Sequence, residues 1–81
     1  VTVRLLYFAT FRDAAGVDEQ RRNLPSGSTV ASLWDELRAQ IPYFAGLLQP
    51  PPAAVNREYV SFDHLLADGD EVAFLPPVAG G

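Results

Sequence analysis

The sequence has no cysteine and no lysine, and its one histidine is His64. Without cysteine there is no disulfide framework and no thiol chemistry, which suits a cytoplasmic location. A lone imidazole with no thiolate offers no transition-metal site, so no metal is expected. Without lysine the chain cannot be modified on a lysine side chain. Positive charge is scarce: six arginines face ten acidic residues, for a formal net charge of −4. Such a surface repels phosphate backbones, so nucleic acid is excluded as a partner and a basic protein surface is the natural complement. No signal peptide opens the sequence and no apolar run approaches membrane-spanning length, so no membrane association is expected. There is no glycine-rich phosphate loop, and no serine or threonine has a general base nearby in sequence. Asp68-Gly69-Asp70 lacks the spacing of a calcium loop and reads as a turn. No side chain is a candidate catalyst.

What remains is an ordinary globular composition, 48% hydrophobic and 20% charged. Eighty-one residues make one domain, 1–81, with one small core and no room for both a deep catalytic cleft and a cofactor site. That favours a carrier or an interaction module. Val1 to Ala9 reads as a central strand, with Val3, Leu5 and Tyr7 on one face and Arg4, Leu6 and Phe8 on the other. Residues 10–17 read as a connection. Val17 to Leu24, polar at its middle, reads as an edge strand, followed by a turn at Pro25-Ser26-Gly27. Thr29 or Ser28 caps a helix over about 29–41, whose apolar stripe is Val30, Leu33, Trp34, Leu37 and Ile41. Pro42 ends it. Tyr43 to Leu48 allows a further helical turn, and Pro50-Pro51-Pro52 is a stiff connector. Short strands follow at Ala53 to Val55 and Tyr59-Val60, with a turn between them, and the last strand is Glu71 to Leu75. The order predicts an α+β fold, a β-grasp (ubiquitin-like) roll with one main helix on one face of a mixed sheet and the first and last strands adjacent.

One helix covers one sheet face. With Trp34 buried against Leu5 and Phe74, the residues Leu6, Phe8, Ala73 and Leu75 form an apolar patch on the other face, the pattern of a partner surface. Segments 43–52 and 61–67 are the pieces of chain available to cover it instead. Beyond the patch comes the tail, Pro76-Pro77-Val78-Ala79-Gly80-Gly81. Proline nitrogens cannot donate to a ladder, so the strand stops at Pro76 and the tail is released. Two glycines then let the carboxylate of Gly81 enter a narrow channel without a side chain beside it.

The run from Asp68 to Gly81, Asp-Gly-Asp-Glu-Val-Ala-Phe-Leu-Pro-Pro-Val-Ala-Gly-Gly, resembles the end of the MoaD/ThiS family of ubiquitin-like sulfur carriers. Within that family it is nearest the molybdopterin synthase small subunits. Leu6-Tyr7-Phe8-Ala9 with Arg12, Ala53-Ala54-Val55-Asn56 and Val60-Ser61-Phe62-Asp63-His64 extend the resemblance over the whole chain. Leu75 departs from it, because the family often has a second aromatic there. The resemblance implies a carrier in molybdenum cofactor biosynthesis with no bound cofactor. An E1-like adenylating enzyme would use ATP to activate the carboxylate of Gly81, and a persulfide sulfur would replace AMP to leave a thiocarboxylate. The carrier would then dock on the large subunit of molybdopterin synthase, in a heterotetramer, and give sulfur to cyclic pyranopterin monophosphate. It would thus be the sulfur-donating subunit of an enzyme. Residues 75–81 would act as the extended tail, with Pro76, Pro77, Val78, Ala79 and Gly80 carrying Gly81 into the partner's active site. Phe8, Leu75 and, by resemblance alone, Tyr59 would meet the partners. The alternatives are a carrier for thiamin, tRNA thiolation or sulfur amino acids, a ubiquitin-like modifier joined to other proteins through Gly81, and a plain β-grasp interaction module.

Overall fold

A computed structural model describes residues 1–77 of the chain. Within them the elements run β1 (Thr2–Leu6), α1 (Ala9–Ala15), β2 (Glu19–Asn23), α2 (Val30–Gln40), α3 (Pro42–Ala45), β3 (Ala53–Val55), β4 (Glu58–Val60) and β5 (Glu71–Phe74). The sheet order is β2-β1-β5-β3-β4. β1 and β5 are parallel neighbours at the centre, with Leu5 opposite Val72, and the remaining pairs are antiparallel. This is the β-grasp roll read from the sequence, and β2, rich in charge, lies at an edge as its polarity requires.

Helix α2 starts where its capping chemistry lies. The Thr29 hydroxyl accepts from the Ser32 backbone N–H at 3.1 Å, and the Ser32 hydroxyl accepts from the Thr29 N–H at 2.9 Å, so two end donors are satisfied reciprocally. It stops at Ile41, extended at φ −118° and ψ 107°, because Pro42 excludes helical geometry at the residue before it. Pro42 then opens α3, since its missing N–H costs nothing at a first helical position. Arg38 and Asp35 approach to 4.0 Å on the solvent side of α2.

The inner stripe of α2, Val30, Leu33, Trp34 and Leu37, is buried against Val3, Leu5, Tyr7, Val72 and Phe74. Trp34 is 4% exposed, and its ring lies 4.9 Å from that of Phe74 and 5.1 Å from that of Phe44. Phe44 completes the core. It is fully buried and meets Phe11 edge-on at 4.9 Å, a favoured aromatic geometry. The turn at α3 therefore plugs the helix side of the sheet and leaves the opposite face uncovered.

The reading of the first seventeen residues needs correction. Residues 10–17 are not a plain connection: Ala9–Ala15 form α1, closed by Gly16 in the left-handed conformation at φ 80°, where its N–H donates to the Arg12 carbonyl at 2.9 Å. This helix has one buried side chain, Phe11, with Ala14 and Ala15 partly buried against the core, and no side-chain cap at its start, so its apolar side is too small to show as a stripe in the sequence. The first strand is also shorter than Val1 to Ala9. It ends at Leu6, and the chain turns at Ala9, whose φ is 48°.

Candidate functional site

The open face is built in rows. Pairing registers place Glu19, Leu6, Ala73, Ala54 and Tyr59 side by side across β2, β1, β5, β3 and β4. Two alanines at the middle of a row, between leucine and tyrosine, leave a hollow. Phe8 and Leu75, each two residues further along its chain, lie on the same side and wall it. The result is a concavity of about 580 Å³ that brings together Phe8, Tyr59 and Leu75, the three proposed contact residues. Phe8 is 46% exposed and Tyr59 76% exposed, while Leu75 is half-buried. Segment 46–52 touches this face only at the Leu75 end, where the Leu75 N–H donates to the Pro52 carbonyl at 2.9 Å.

The neighbouring row is charged. Glu71, side chain 21% exposed, lies 3.3 Å from Arg4 and 3.7 Å from Arg57; Arg4 also reaches Glu19 at 3.5 Å. This rim was not legible as a cluster, because its members are 4, 19, 57 and 71 and only the sheet register joins them. Asn56 fixes its geometry. The Asn56 N–H donates to the Glu71 carbonyl at 2.8 Å, its side-chain oxygen accepts from the Glu71 N–H at 3.0 Å, and its amide donates to Asp70 at 2.9 Å. The hairpin β3–β4 is thereby clamped to the start of β5. Asp70 also accepts from the Ala67 N–H at 2.8 Å and Asp68 from the Thr2 N–H at 2.7 Å, so the Asp-Gly-Asp carboxylates serve a turn, with Gly69 supplying φ 87°.

Among the described residues three non-glycine residues have positive φ: Ala9 at 48°, Asn56 at 52° and Arg57 at 71°. All border this face. Ala9 follows Phe8, and Asn56-Arg57 is the two-residue turn before β4, with Val55 opposite Glu58. A two-residue hairpin favours left-handed geometry at both turn positions, for which Asn-Gly is the usual pair. Asn tolerates it, but arginine in that conformation costs about 1–2 kcal/mol. Exposed ion pairs contribute about 0–1 kcal/mol, so pairing with Glu71 does not offset that strain. Backbone strain of this kind collects at functional surfaces.

The face holds no nucleophile–base pair, and among the described residues no group of three His, Cys, Asp or Glu side chains could hold a metal ion. Its apolar hollow and charged border have the make-up of a binding surface. β5 ends at Phe74, one residue before the expected Leu75, and Pro76 and Pro77 follow outside the ladder. Val78, Ala79, Gly80 and Gly81, the remaining proposed tail residues, lie outside the described residues. No described helix is long and apolar enough to cross a membrane.

Comparison with known proteins places this geometry in a family. The profile of the ThiS family matches residues 5–81. A molybdopterin synthase sulfur carrier subunit from Escherichia coli is 45% identical, covering 98% of this chain and 99% of that protein. A solved molybdopterin converting factor subunit 1 from Pyrococcus furiosus superposes with a TM-score of 0.87 at 40% identity, over 96% of this chain and 99% of that one. Small archaeal modifier protein 3 from Haloferax volcanii is 34% identical, covering 98% of each chain. The chain belongs to the ThiS family.

Proposed function

We propose that this ThiS-family chain is the sulfur carrier subunit of a molybdopterin synthase, acting in the cytoplasm as a single domain with residues 75–81 as its tail. The observation that carries the reading is a binding face without catalytic groups, walled by Phe8, Tyr59 and Leu75, from whose edge Leu75 leads into the tail. The similarity to a sulfur carrier subunit along nearly the whole of both chains supports it.

In this reading the Gly81 carboxylate attacks the α-phosphorus of ATP on an E1-like enzyme, and pyrophosphate leaves. A persulfide sulfur attacks the acyl carbon of the adenylate and AMP leaves. A thiol reductant then cleaves the sulfur–sulfur bond, leaving the thiocarboxylate. On the large synthase subunit the thiocarboxylate sulfur is transferred to the pterin precursor, and water returns the carboxylate. The chain contributes the sulfur and its delivery; the partners contribute the acids, bases and ATP site. Pro76 and Pro77 stiffen the root of the tail, and any four residues fully extended span at most about 14 Å, which bounds the depth the tail needs to serve.

Deleting Gly81 should abolish sulfur delivery, since a one-residue shift moves the reacting atom by more than about 3 Å, and even ~1 Å costs about 100-fold. Gly80→Val keeps the length but adds a β-branched side chain and should act in the same direction. Normal pterin sulfuration by the shortened chain would refute the carrier mechanism. A second reading, a ubiquitin-like modifier, has its own support in the similarity to small archaeal modifier protein 3. Adducts joined through Gly81 to lysines of other proteins, found by mass spectrometry, would favour it.

A further inference from the structure

Arg57 stands where the hairpin geometry calls for glycine, in a strained conformation that its own contacts do not offset. Its side chain is 88% exposed. Among the described residues its ionic contact is Nε to Glu71 at 3.7 Å, and its terminal guanidinium nitrogens make no hydrogen bond. Asn56, clamped to Asp70 and Glu71, holds the turn so that Arg57 sits at the rim of the concavity beside Tyr59. A planar fork whose terminal donors are unpaired among the described residues, carried on a clamped turn at the edge of an apolar hollow, is suited to bidentate recognition of a carboxylate. The hollow supplies the apolar centre of an interface and the Arg4–Glu71–Arg57 row its charged border.

We propose that Arg57 is a specificity-determining contact of this face, reading an Asp or Glu side chain on the protein partner that covers Phe8 and Tyr59. The proposal rests on the docking role given to the face above. The strain is held in the free chain and the compensating carboxylate arrives with the partner. The expected order of effects is thus opposite for folding and for binding.

The test uses the full chain and the large subunit of molybdopterin synthase from the same source. Arg57→Gly should hold Tm at or above the wild-type value, because the turn gains its preferred residue. It should weaken the complex about tenfold, the loss expected for one charge-assisted pair. Arg57→Glu should weaken it further, and the gap between wild type and both variants should narrow as salt is raised. Phe8→Ala serves as the control. If Phe8→Ala weakens binding while Arg57→Gly stays within twofold of wild type, the Arg57 proposal is overturned and the docking face stands. If neither matters, the docking face itself is wrong. A fall in Tm for Arg57→Gly would mark Arg57 as a structural ion-pair residue. Self-association of that variant would mark it as a guard of the β4 edge. Either outcome overturns the proposal.

Discussion

Truncating Phe8 separates docking from folding, because the residue is 46% exposed in the free chain. A phenylalanine buries about 150–250 Å² when fully covered, so roughly 70–110 Å² of Phe8 awaits a partner. At about 25 cal/mol per Å² that area is worth about 2–3 kcal/mol. The value matches the cost of removing an aromatic at an interface centre. Each 1.4 kcal/mol is about tenfold in affinity, so Phe8→Ala should weaken binding by about 30–100-fold. The overlapping surface should serve both the activating enzyme and the large synthase subunit, so both complexes should weaken. The monomer should lose less, because Phe8 belongs to the wall of the hollow and not to the core; a drop in Tm below about 8 °C is expected. Titration calorimetry with each partner and a thermal melt of the free chain give the two numbers. Unchanged affinity for both partners would remove this face from the account, and an unfolded monomer would show Phe8 to be a core residue.

Two further predictions concern the fold that holds the face in place. Phe44→Ala should cost about 3–5 kcal/mol, since the ring is fully buried among Phe11, Tyr43 and Trp34; against a total of about 4–12 kcal/mol for a chain of this size, urea unfolding should shift to far lower concentrations. Burial raises the pKa of the Tyr7 hydroxyl above its ordinary value of 10.0, partly opposed by Arg22. The unfolded chain therefore ionises first, and this contribution to stability is complete below pH 10 and falls as pH rises above it. Tyr7→Phe should flatten the alkaline limb of the urea midpoint against pH, and an identical slope in both proteins would contradict the assignment.

The sequence disclosed the helix α2 and the open face through periodicity over several residues, and the central pairing of β1 with β5 through the order of elements, which suits a β-grasp roll. Thr29, the Val30–Leu37 stripe and Pro42 bracket α2 with no competing signal. Phe8 and Leu75 were legible from strand alternation, and Tyr59 only from family resemblance, since β4 is three residues long and too short to show alternation. Helix α1 escaped because seven residues with one buried side chain carry no amphipathic pattern. Phe44 escaped as a core residue because its burial is set by tertiary contact with Phe11 and Trp34. The charged cluster of Arg4, Glu19, Glu71 and Arg57 depends on register across strands distant in sequence. Asn56-Arg57 between two strands did carry a turn signal. The left-handed arginine could be seen only in the folded chain.

The central claim is that Gly81 carries sulfur, and the intact mass of the chain tests it most directly. Incubation with ATP, the E1-like enzyme, a persulfide donor and a thiol reductant should raise the mass by the difference between one sulfur and one oxygen. Fragmentation should place that change on Gly81, and subsequent reaction with the large subunit and the pterin precursor should return the original mass. A mass unchanged under conditions that convert an established carrier, or a change located at any other residue, would contradict the account.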